Sequence, residues 1–354
     1  MVLSIKTMKT VISKLLMLIA LVLPIGILTG CVDEEEYSNT PKDTFEALWK
    51  IIDERYCFFD YKKQEYGLDW NKVYNKYNVR ISNDMSNEHL FEVLSEMLGE
   101  LRDGHVNLST SYDFARYWKW HENYPSNFSD TLLRRYLSTD YRIAAGLKYK
   151  ILDDNIGYIY YESFTDGIGE GNLDEVIYHF MPCRGLIIDV RNNGGGMLTN
   201  AEKLAARFVH KPTLVGYMQH KTGKGHGDFS TMEEQWLEPS SNMRWHKPVC
   251  VLTNRSVYSA ANEFVMYMKQ LPDVTIVGDK TGGGAGMPYS DMLPNGWAVR
   301  FSACPMYDAQ KNSTEFGIEP NHNVSISDAD FARGEDSIIE FARKLIDRVE
   351  GLKD

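Results

Sequence analysis

The chain has few cysteines, and none of them forms a pattern typical of a zinc site or a redox motif. Its 354 residues include five cysteines, and no two of them form a Cys-x-x-Cys pair. Cys57, Cys183, Cys250 and Cys304 are widely spaced along the chain. Buried free thiols are therefore the simpler expectation, although an exported protein could also form a disulfide.

The chain also lacks a basic stripe and the usual nucleotide motifs. Lys and Arg total 38 against 49 Asp and Glu, which gives a formal net charge of -11 at pH 7. A chain of this charge is a poor partner for nucleic acid. No glycine-rich stretch ends in Gly-Lys-Ser/Thr or follows Gly-x-Gly-x-x-Gly. The hydrophobic content of 43% and the charged content of 25% are those of a globular protein.

The N-terminus reads as a targeting segment. Three lysines precede the apolar run Leu15–Leu28, which is short for a membrane-spanning helix. The run ends in Leu-Thr-Gly before Cys31, which resembles a bacterial lipobox and implies cleavage before Cys31 and lipid attachment to its thiol. An ordinary signal peptide is the alternative. We interpret residues 1–31 as a lipoprotein signal peptide with its lipobox and residues 32–41 as an acidic tether. The protein is therefore expected at the bacterial cell envelope, and the sequence does not indicate which membrane face it occupies.

Hydrophobic periodicity divides the remaining chain. Residues 42–112 show helical spacing and predict a small helical N-terminal domain. Residues 113–147 form a connecting segment that the pattern does not assign. From 148 to 354 short apolar runs such as Ile156–Tyr161 alternate with helical patterns, which predicts a largely parallel sheet covered by helices.

Ser259 lies at a predicted strand-to-helix junction. Val249–Leu252 reads as a buried strand, and Ser259-Ala260-Ala261 opens a helical pattern. Free amides and the positive end of the helix dipole meet at such a junction. Ser259 is therefore a candidate nucleophile, with a helix N-cap as the plainer alternative.

A second motif, Asp189-Val190-Arg191-Asn192-Asn193-Gly194-Gly195-Gly196, joins a buried strand to a helix. Glycines let backbone amides converge on an anion. The motif therefore predicts an oxyanion-binding loop, while a phosphate loop or a tight structural turn are the alternatives.

Two further side chains are candidates for proton transfer. His105, in Arg102-Asp103-Gly104-His105, directly follows a predicted helix end and suits a general base. Glu319, in Phe316-Gly317-Ile318-Glu319-Pro320, is held between Gly and Pro and could orient a histidine or a water. A structural histidine and a loop carboxylate are the alternatives.

Together these motifs resemble the S41 serine peptidases, the family of C-terminal processing proteases and the tricorn protease core. Processing proteases of this family use a Ser-Lys dyad, but the position that matches the dyad lysine is Gly284, and Lys280 lies four residues earlier. The resemblance to the tricorn-like branch instead implies Ser259, His105 and Glu319 as the catalytic set. About 40 residues separate His105 from 148, which is too few for a PDZ domain at a usual minimum domain size of about 50.

The resemblance implies an α/β fold, a ClpP/crotonase-like catalytic domain behind the helical N-terminal domain. It implies acyl transfer on a peptide bond of a peptide or protein substrate, with the amides of Gly195 and Ala260 as oxyanion donors. No metal ion or organic cofactor is expected, and the oligomeric state stays open. The alternative is a non-catalytic lipoprotein that binds a ligand or peptide on the same fold.

Overall fold

The computed structural model describes residues 37–350, with side chains as far as Arg348, and these residues form two β-sheets with helices packed around them. The predicted signal peptide and lipobox, including Cys31, lie outside this range. The helices are α1 (Pro41–Arg55), α2 (Phe59–Tyr66), α3 (Trp70–Asn78), α4 (Asn87–Gly99), α5 (Lys119–Glu122), α6 (Asp130–Leu137), α7 (Glu170–Phe180), α8 (Leu198–Ala206), α9 (Ala260–Lys269), α10 (Asp328–Arg333) and α11 (Ser337–Glu350). The strands are β1 (Asn107–Ser109), β2 (Phe114–Ala115), β3 (Arg142–Ala144), β4 (Leu147–Ile151), β5 (Ile156–Tyr161), β6 (Gly185–Asp189), β7 (Thr213–Met218), β8 (Glu233–Leu237), β9 (Val249–Thr253), β10 (Val274–Gly278), β11 (Gly286–Met292), β12 (Ala298–Asp308) and β13 (His322–Asn323).

The larger sheet has seven strands in the order β13-β10-β9-β6-β5-β4-β3, and its five strands from β13 to β5 are parallel. One face packs against α7, α8 and α9, and the other packs against α6 and α11. Because both faces are covered, every residue of β5, β6 and β9 is buried, and this explains their nearly continuous apolar sequences. The expected α/β fold with a largely parallel sheet is confirmed.

The second sheet is antiparallel and ties the N-terminal helices to the rest of the chain. Its order is β2-β1-β12-β7-β8, and β11 pairs with β12 from Ala298 to Pro305, along the edge opposite β1. The apolar faces of α1–α4 share one core with Trp297, Val299 and Phe301. The N-terminal region is helical, as expected, but its helices do not have a core of their own, because a strand nearly 200 residues later along the chain completes it.

The order of the strands determines where the sequence motifs meet. Strands β6 and β9 are parallel neighbours, with Asp189 opposite Leu252. The loop that follows β6 carries the glycine-rich motif, and the loop that follows β9 leads to Ser259. Since the carboxyl ends of parallel neighbours lie at one edge, both loops lie together at the position where open α/β sheets bind ligands.

Candidate active site

Ser259 occupies the junction between β9 and α9 in a strained backbone conformation. Its φ of 57° and ψ of −128° are rare for a residue with a Cβ, and its side chain makes no capping hydrogen bond to the helix. Such a conformation costs about 1–3 kcal/mol and persists only when the surroundings enforce it. Here the Ser259 amide donates to the Gly283 carbonyl at 2.9 Å. Ser259 therefore occupies the N-cap position of α9, but its hydroxyl does not cap the helix, so the N-cap alternative does not account for the side chain.

His105 lies beside this hydroxyl. Its Nε2 is 2.9 Å from Ser259 Oγ, although 154 residues separate the two along the chain. The imidazole is only 3% exposed and packs on the Tyr258 ring at a centroid distance of 5.0 Å. Burial lowers the pKa of His105 to about 4, against the opposing effect of the Asp103 charge. The imidazole is therefore neutral at pH 7, and this is the form that a general base requires.

Asp103 is the carboxylate that acts on His105, but it does not bind the ring. Its Oδ1 accepts the backbone N–H of His105 at 2.7 Å, and its Oδ2 accepts hydrogen bonds from Tyr56 and Ser302 at 2.9 and 2.8 Å. Burial alone would raise the pKa of Asp103, but the charges of Lys62 and His105 and these hydrogen bonds hold it below its usual value. Asp103 therefore places a fixed negative charge near the imidazole. Within residues 37–350, the ring Nδ1 of His105 is buried and has no hydrogen-bond partner.

Glu319, predicted to orient the imidazole, is placed elsewhere. Its side chain is 65% exposed, and its carboxylate lies 3.0 Å from Lys280 Nζ. Since the Gly317 turn carries Glu319 to the surface, the structure does not support the triad of Ser259, His105 and Glu319. The buried glutamate of this segment is Glu315, which has a different role.

Glu315 forms an internal ion pair with the N-terminal helices. Its Oε1 lies 2.8 Å from Lys62 Nζ on α2, both side chains are almost fully buried, and its Oε2 accepts the Ala285 amide at 3.1 Å. Lys62 also donates to the Arg102 carbonyl and lies 4.9 Å from the Phe316 ring centroid. Burial and the Asp103 charge raise the pKa of Glu315, and the charge and hydrogen bond of Lys62 oppose them. The pair fixes the segment after Arg102, which leads to His105, against the loop around Ala285.

The two predicted oxyanion donors differ in whether their amide N–H already has a hydrogen-bond acceptor. The described residues offer no acceptor for the Ala260 amide, the first of α9, so this amide is free to bind an anion. The Gly195 amide instead donates to Asn193 Oδ1 at 2.9 Å, so its assignment as a donor is wrong for this conformation. Gly195 is required because a Cβ there would lie 2.7 Å from the Tyr258 carbonyl oxygen. Gly194 lines a cavity that opens over Ser259, and within the described chain its amide has no acceptor, which makes it the second candidate donor.

Asparagines hold the two loops together, and the sequence motifs did not predict their roles. Asn254 accepts the amides of Asn192 and Ser256 on its Oδ1, and its Nδ2 donates to Asn192 Oδ1 at 2.8 Å. The Asn193 carbonyl accepts the Tyr258 amide at 3.1 Å. These bonds cross between the glycine-rich loop and the loop of the nucleophile, so they set the position of Ser259 relative to Gly194.

Arg191, within the same glycine-rich motif, is structural. Its guanidinium is 1% exposed and pairs with Asp189 at 2.7 Å and with Asp336 at 2.9 Å. Asp336 in turn accepts the amides of Ile338 and Ile339 at the start of α11. The charged residues of this motif therefore attach the C-terminal helix to β6, and only the backbone that follows them faces the cavity.

A cavity of about 520 Å³ opens over Ser259. Its size is within the range of small-ligand and substrate sites. Trp118, Trp120 and Tyr258 form an aromatic wall, and Arg300 supplies a charge. Trp118 and Trp120 come from the connecting segment 113–147 that the sequence pattern did not assign. Its clustering of aromatic residues was the available signal, but alone it does not indicate which surface they face.

Within 37–350 there is no cluster of three or more His, Cys, Asp or Glu side chains placed to hold a metal ion. In the same range no helix has the length and apolar character needed to cross a membrane. Cys57, Cys183, Cys250 and Cys304 are free thiols, as the sequence favoured.

A hydroxyl on a strained strand-to-helix junction, a neutral imidazole at 2.9 Å and a free helix amide are typical of serine hydrolases. Comparison with known proteins agrees with this class. The model of peptidase family S41 matches residues 155–324, and that of the tricorn protease C1 domain matches residues 37–99. A candidate peptidase from Parabacteroides merdae, known from its crystal structure, is 52% identical, with a TM-score of 0.83 over 87% of this chain and 96% of that one. The chain belongs to peptidase family S41.

Two other similarities are more distant. A Staphylococcus epidermidis protein assigned as a CtpA-like serine protease is 31% identical over 42% of this chain and 29% of its own length. Matches to curated relatives span between 19% and 36% of those proteins, so this chain corresponds to only part of each. Mature CPAF, in a structure with lactacystin, gives a TM-score of 0.67 at 13% identity over 88% of this chain and 98% of that one, which shows a shared fold.

Proposed function

We propose that this protein is a serine endopeptidase or carboxyl-terminal processing peptidase of the bacterial cell envelope, and that it hydrolyses peptide bonds through Ser259 with His105 as the general base. The 2.9 Å contact between His105 Nε2 and Ser259 Oγ carries the proposal. Membership in family S41 supports the reaction class. The envelope location rests on the lipobox at Cys31.

The first step is acylation. Ser259 Oγ bonds to the substrate carbonyl carbon while its proton passes to His105 Nε2. The proton then moves to the leaving amine as the C–N bond breaks. Because burial keeps His105 neutral, it can accept the proton at physiological pH, and the Asp103 charge stabilises the imidazolium that forms.

Oxyanion stabilisation is assigned to backbone amides. The Ala260 amide belongs to the first turn of α9, where the helix dipole also favours negative charge. The amide of Gly194 is the proposed second donor, replacing that of Gly195. Removal of one such donor typically costs about 10²–10³ in turnover. Water then attacks the acyl carbon while its proton passes to His105 Nε2. The ester bond to Ser259 Oγ breaks, Oγ takes the proton back from His105, and the carboxylic acid product leaves.

Covalent labelling by a fluorophosphonate and cleavage of a peptide library test the proposal, both on the soluble form from Val32. Ser259→Ala should abolish both signals. Ser256→Ala is the matched control, because Ser256 lines the same cavity and carries the same group without a contact to His105. Equal labelling of wild type and Ser259→Ala would refute the proposed nucleophile. A wild type that neither labels nor cleaves would favour the binding-protein alternative.

A further inference from the structure

Arg300 stands apart from the other groups that line the catalytic cavity. Among residues 37–350 that line the cavity, Arg300 is the only one with a permanent charge, because the others are aromatic, amide, hydroxyl or histidine groups and glycines. This described lining contains no carboxylate. Within residues 37–350 the Arg300 guanidinium forms no ion pair or hydrogen bond, whereas Arg116 and Arg255 nearby are both engaged by protein groups.

The strand holds Arg300 at a defined place. Arg300 lies within β12, opposite Asn107 of β1 on one side and Ser290 of β11 on the other. Its neighbours Val299 and Phe301 are fully buried in the N-terminal core. Since successive residues of a strand point to opposite faces, the Arg300 side chain emerges on the cavity face, together with Ser302, which contacts Asp103. A rigid strand between two partners thus presents the cation.

The cation is also close to the catalytic group. Burial is the main cause of the lowered pKa of His105, and the positive charge of Arg300 lowers it further. The cavity that joins it to Ser259 measures about 520 Å³, so a ligand group on Arg300 belongs to a part of the substrate near the scissile bond. A planar guanidinium without a protein partner matches a carboxylate, which it can bind through two parallel hydrogen bonds.

We propose that Arg300 is a substrate-recognition residue that binds a carboxylate of the peptide, within a few residues of the bond that Ser259 attacks. The carboxylate is either an acidic side chain or the free C-terminus. This inference rests on the proposed peptidase function and adds the substrate class. The protein as a whole is acidic, with a formal charge of -11, so the preference must arise from this local cation.

Two sets of matched peptides distinguish the sources of the carboxylate. The first set has an amidated C-terminus and places Glu or Gln at each position around the cleaved bond. The second set has neutral side chains and ends in either a free acid or an amide. In one of the two sets, we expect kcat/KM of the wild type to be roughly tenfold higher for the peptide with the carboxylate than for its neutral counterpart. This is the order expected for a hydrogen bond to a charged group.

Arg300→Gln should remove this preference mainly through KM, because it removes binding and leaves Ser259 and His105 in place. Arg300→Lys should retain part of the preference, and Arg300→Glu should favour a Lys-containing peptide instead. Arg134→Gln is the charge-matched control, since Arg134 is exposed on α6 and lines none of the cavities described. Its preference should equal that of the wild type.

The binding of labelled peptides to Ser259→Ala, measured by fluorescence anisotropy, provides a second readout that does not need activity. If this variant prefers the carboxylate peptide while the wild type cleaves nothing, the recognition site stands and the peptidase proposal fails. If the wild type cleaves acid and amide peptides equally, or if folded Arg300→Gln keeps the preference, the recognition proposal is overturned and the peptidase proposal stands.

Discussion

The buried environment of His105 leads to a specific pH dependence. With a pKa of about 4, the imidazole is ~99.9% neutral at pH 7. The acidic limb of kcat/KM should therefore lie well below the pKa near 6.5 of an unperturbed histidine, and activity should be flat from about pH 6 to 8. A lysine base would instead give activity that rises into the alkaline range.

Asp103→Asn is the perturbation that tests the electrostatic role of Asp103. The Asp103 carboxylate raises the pKa of His105, so its removal should move the acidic limb to still lower pH. An opposite charge nearby typically shifts a pKa by ~1–3 units, or ~1.4–4 kcal/mol. The same energy stabilises the imidazolium in the transition state, so we expect kcat/KM at pH 7 to fall by roughly 10- to 10³-fold.

Glu319→Gln is the matched control for Asp103→Asn. Both remove one carboxylate, but Glu319 is exposed and pairs with Lys280. Its profile should overlay that of the wild type. The assay is kcat/KM on one neutral amidated peptide from pH 3.5 to 9, with circular dichroism to establish folding at each pH. A wild-type limb near pH 6.5, or a limb that moves in Glu319→Gln but not in Asp103→Asn, would refute this reasoning.

The same pKa shift predicts a loss of stability in acid. The folded pKa of about 4 lies below the unfolded value of 6.5, so the unfolded chain binds the proton first. The contribution of His105 to the free energy of unfolding is fully present above pH 6.5. It is lost as the pH falls to about 4, and the loss is ~3 kcal/mol. Control melts are therefore needed to separate lost activity from unfolding.

Three further predictions concern other residues. Cys31→Ser should release the protein from membranes, and metabolic lipid labelling that leaves Cys31 unmodified would contradict the lipobox. Lys280→Ala should keep kcat within about fivefold of wild type, because its ion pair is at the surface, whereas His105→Ala should lose roughly 10²–10⁴-fold; comparable losses in two folded variants would argue for a lysine base. Glu263 is buried in α9 without a hydrogen-bond partner among the described residues, and burial raises its pKa to about 8. The folded protein loses stability as the pH rises from 4.5 to about 8, because the unfolded chain releases the Glu263 proton first. Glu263→Gln should therefore stabilise the fold at pH 7 by up to ~3 kcal/mol. Thermal melts in which the variant is less stable than the wild type at pH 8 would contradict this.

The sequence predicted Glu319 as the partner of His105, but Glu319 is exposed, and the buried glutamate of the same segment is Glu315. Glu315 and Glu319 lie four residues apart in one short segment, and each is two residues from Gly317. Nothing local distinguishes them. Glu315 is buried because α2 brings Lys62 against it, 253 residues away along the chain, while the turn at Gly317 carries Glu319 outward.

In the glycine-rich loop after β6, too, the sequence predicted the close backbone approach but not which amide is free. Three consecutive glycines predict a close backbone approach, and the structure has one at Gly195 beneath Ser259. Which amide stays free depends on the Asn193 side chain, which occupies the Gly195 amide and leaves that of Gly194. A side-chain rotamer decides this, and the residue pattern does not encode it.

The sequence by itself determined the alternation of strands and helices, the junction at Ser259 and the family, because these depend on local periodicity and on the order of motifs. Only the tertiary structure decided which carboxylate lies near the base, which amide is free and which cation faces the substrate cavity. Each of these depends on contacts between segments distant in the chain, such as β12 with β1 and α2 with Glu315. Burial and the electrostatic field at a residue are properties of those contacts, and they exist only once the chain has folded.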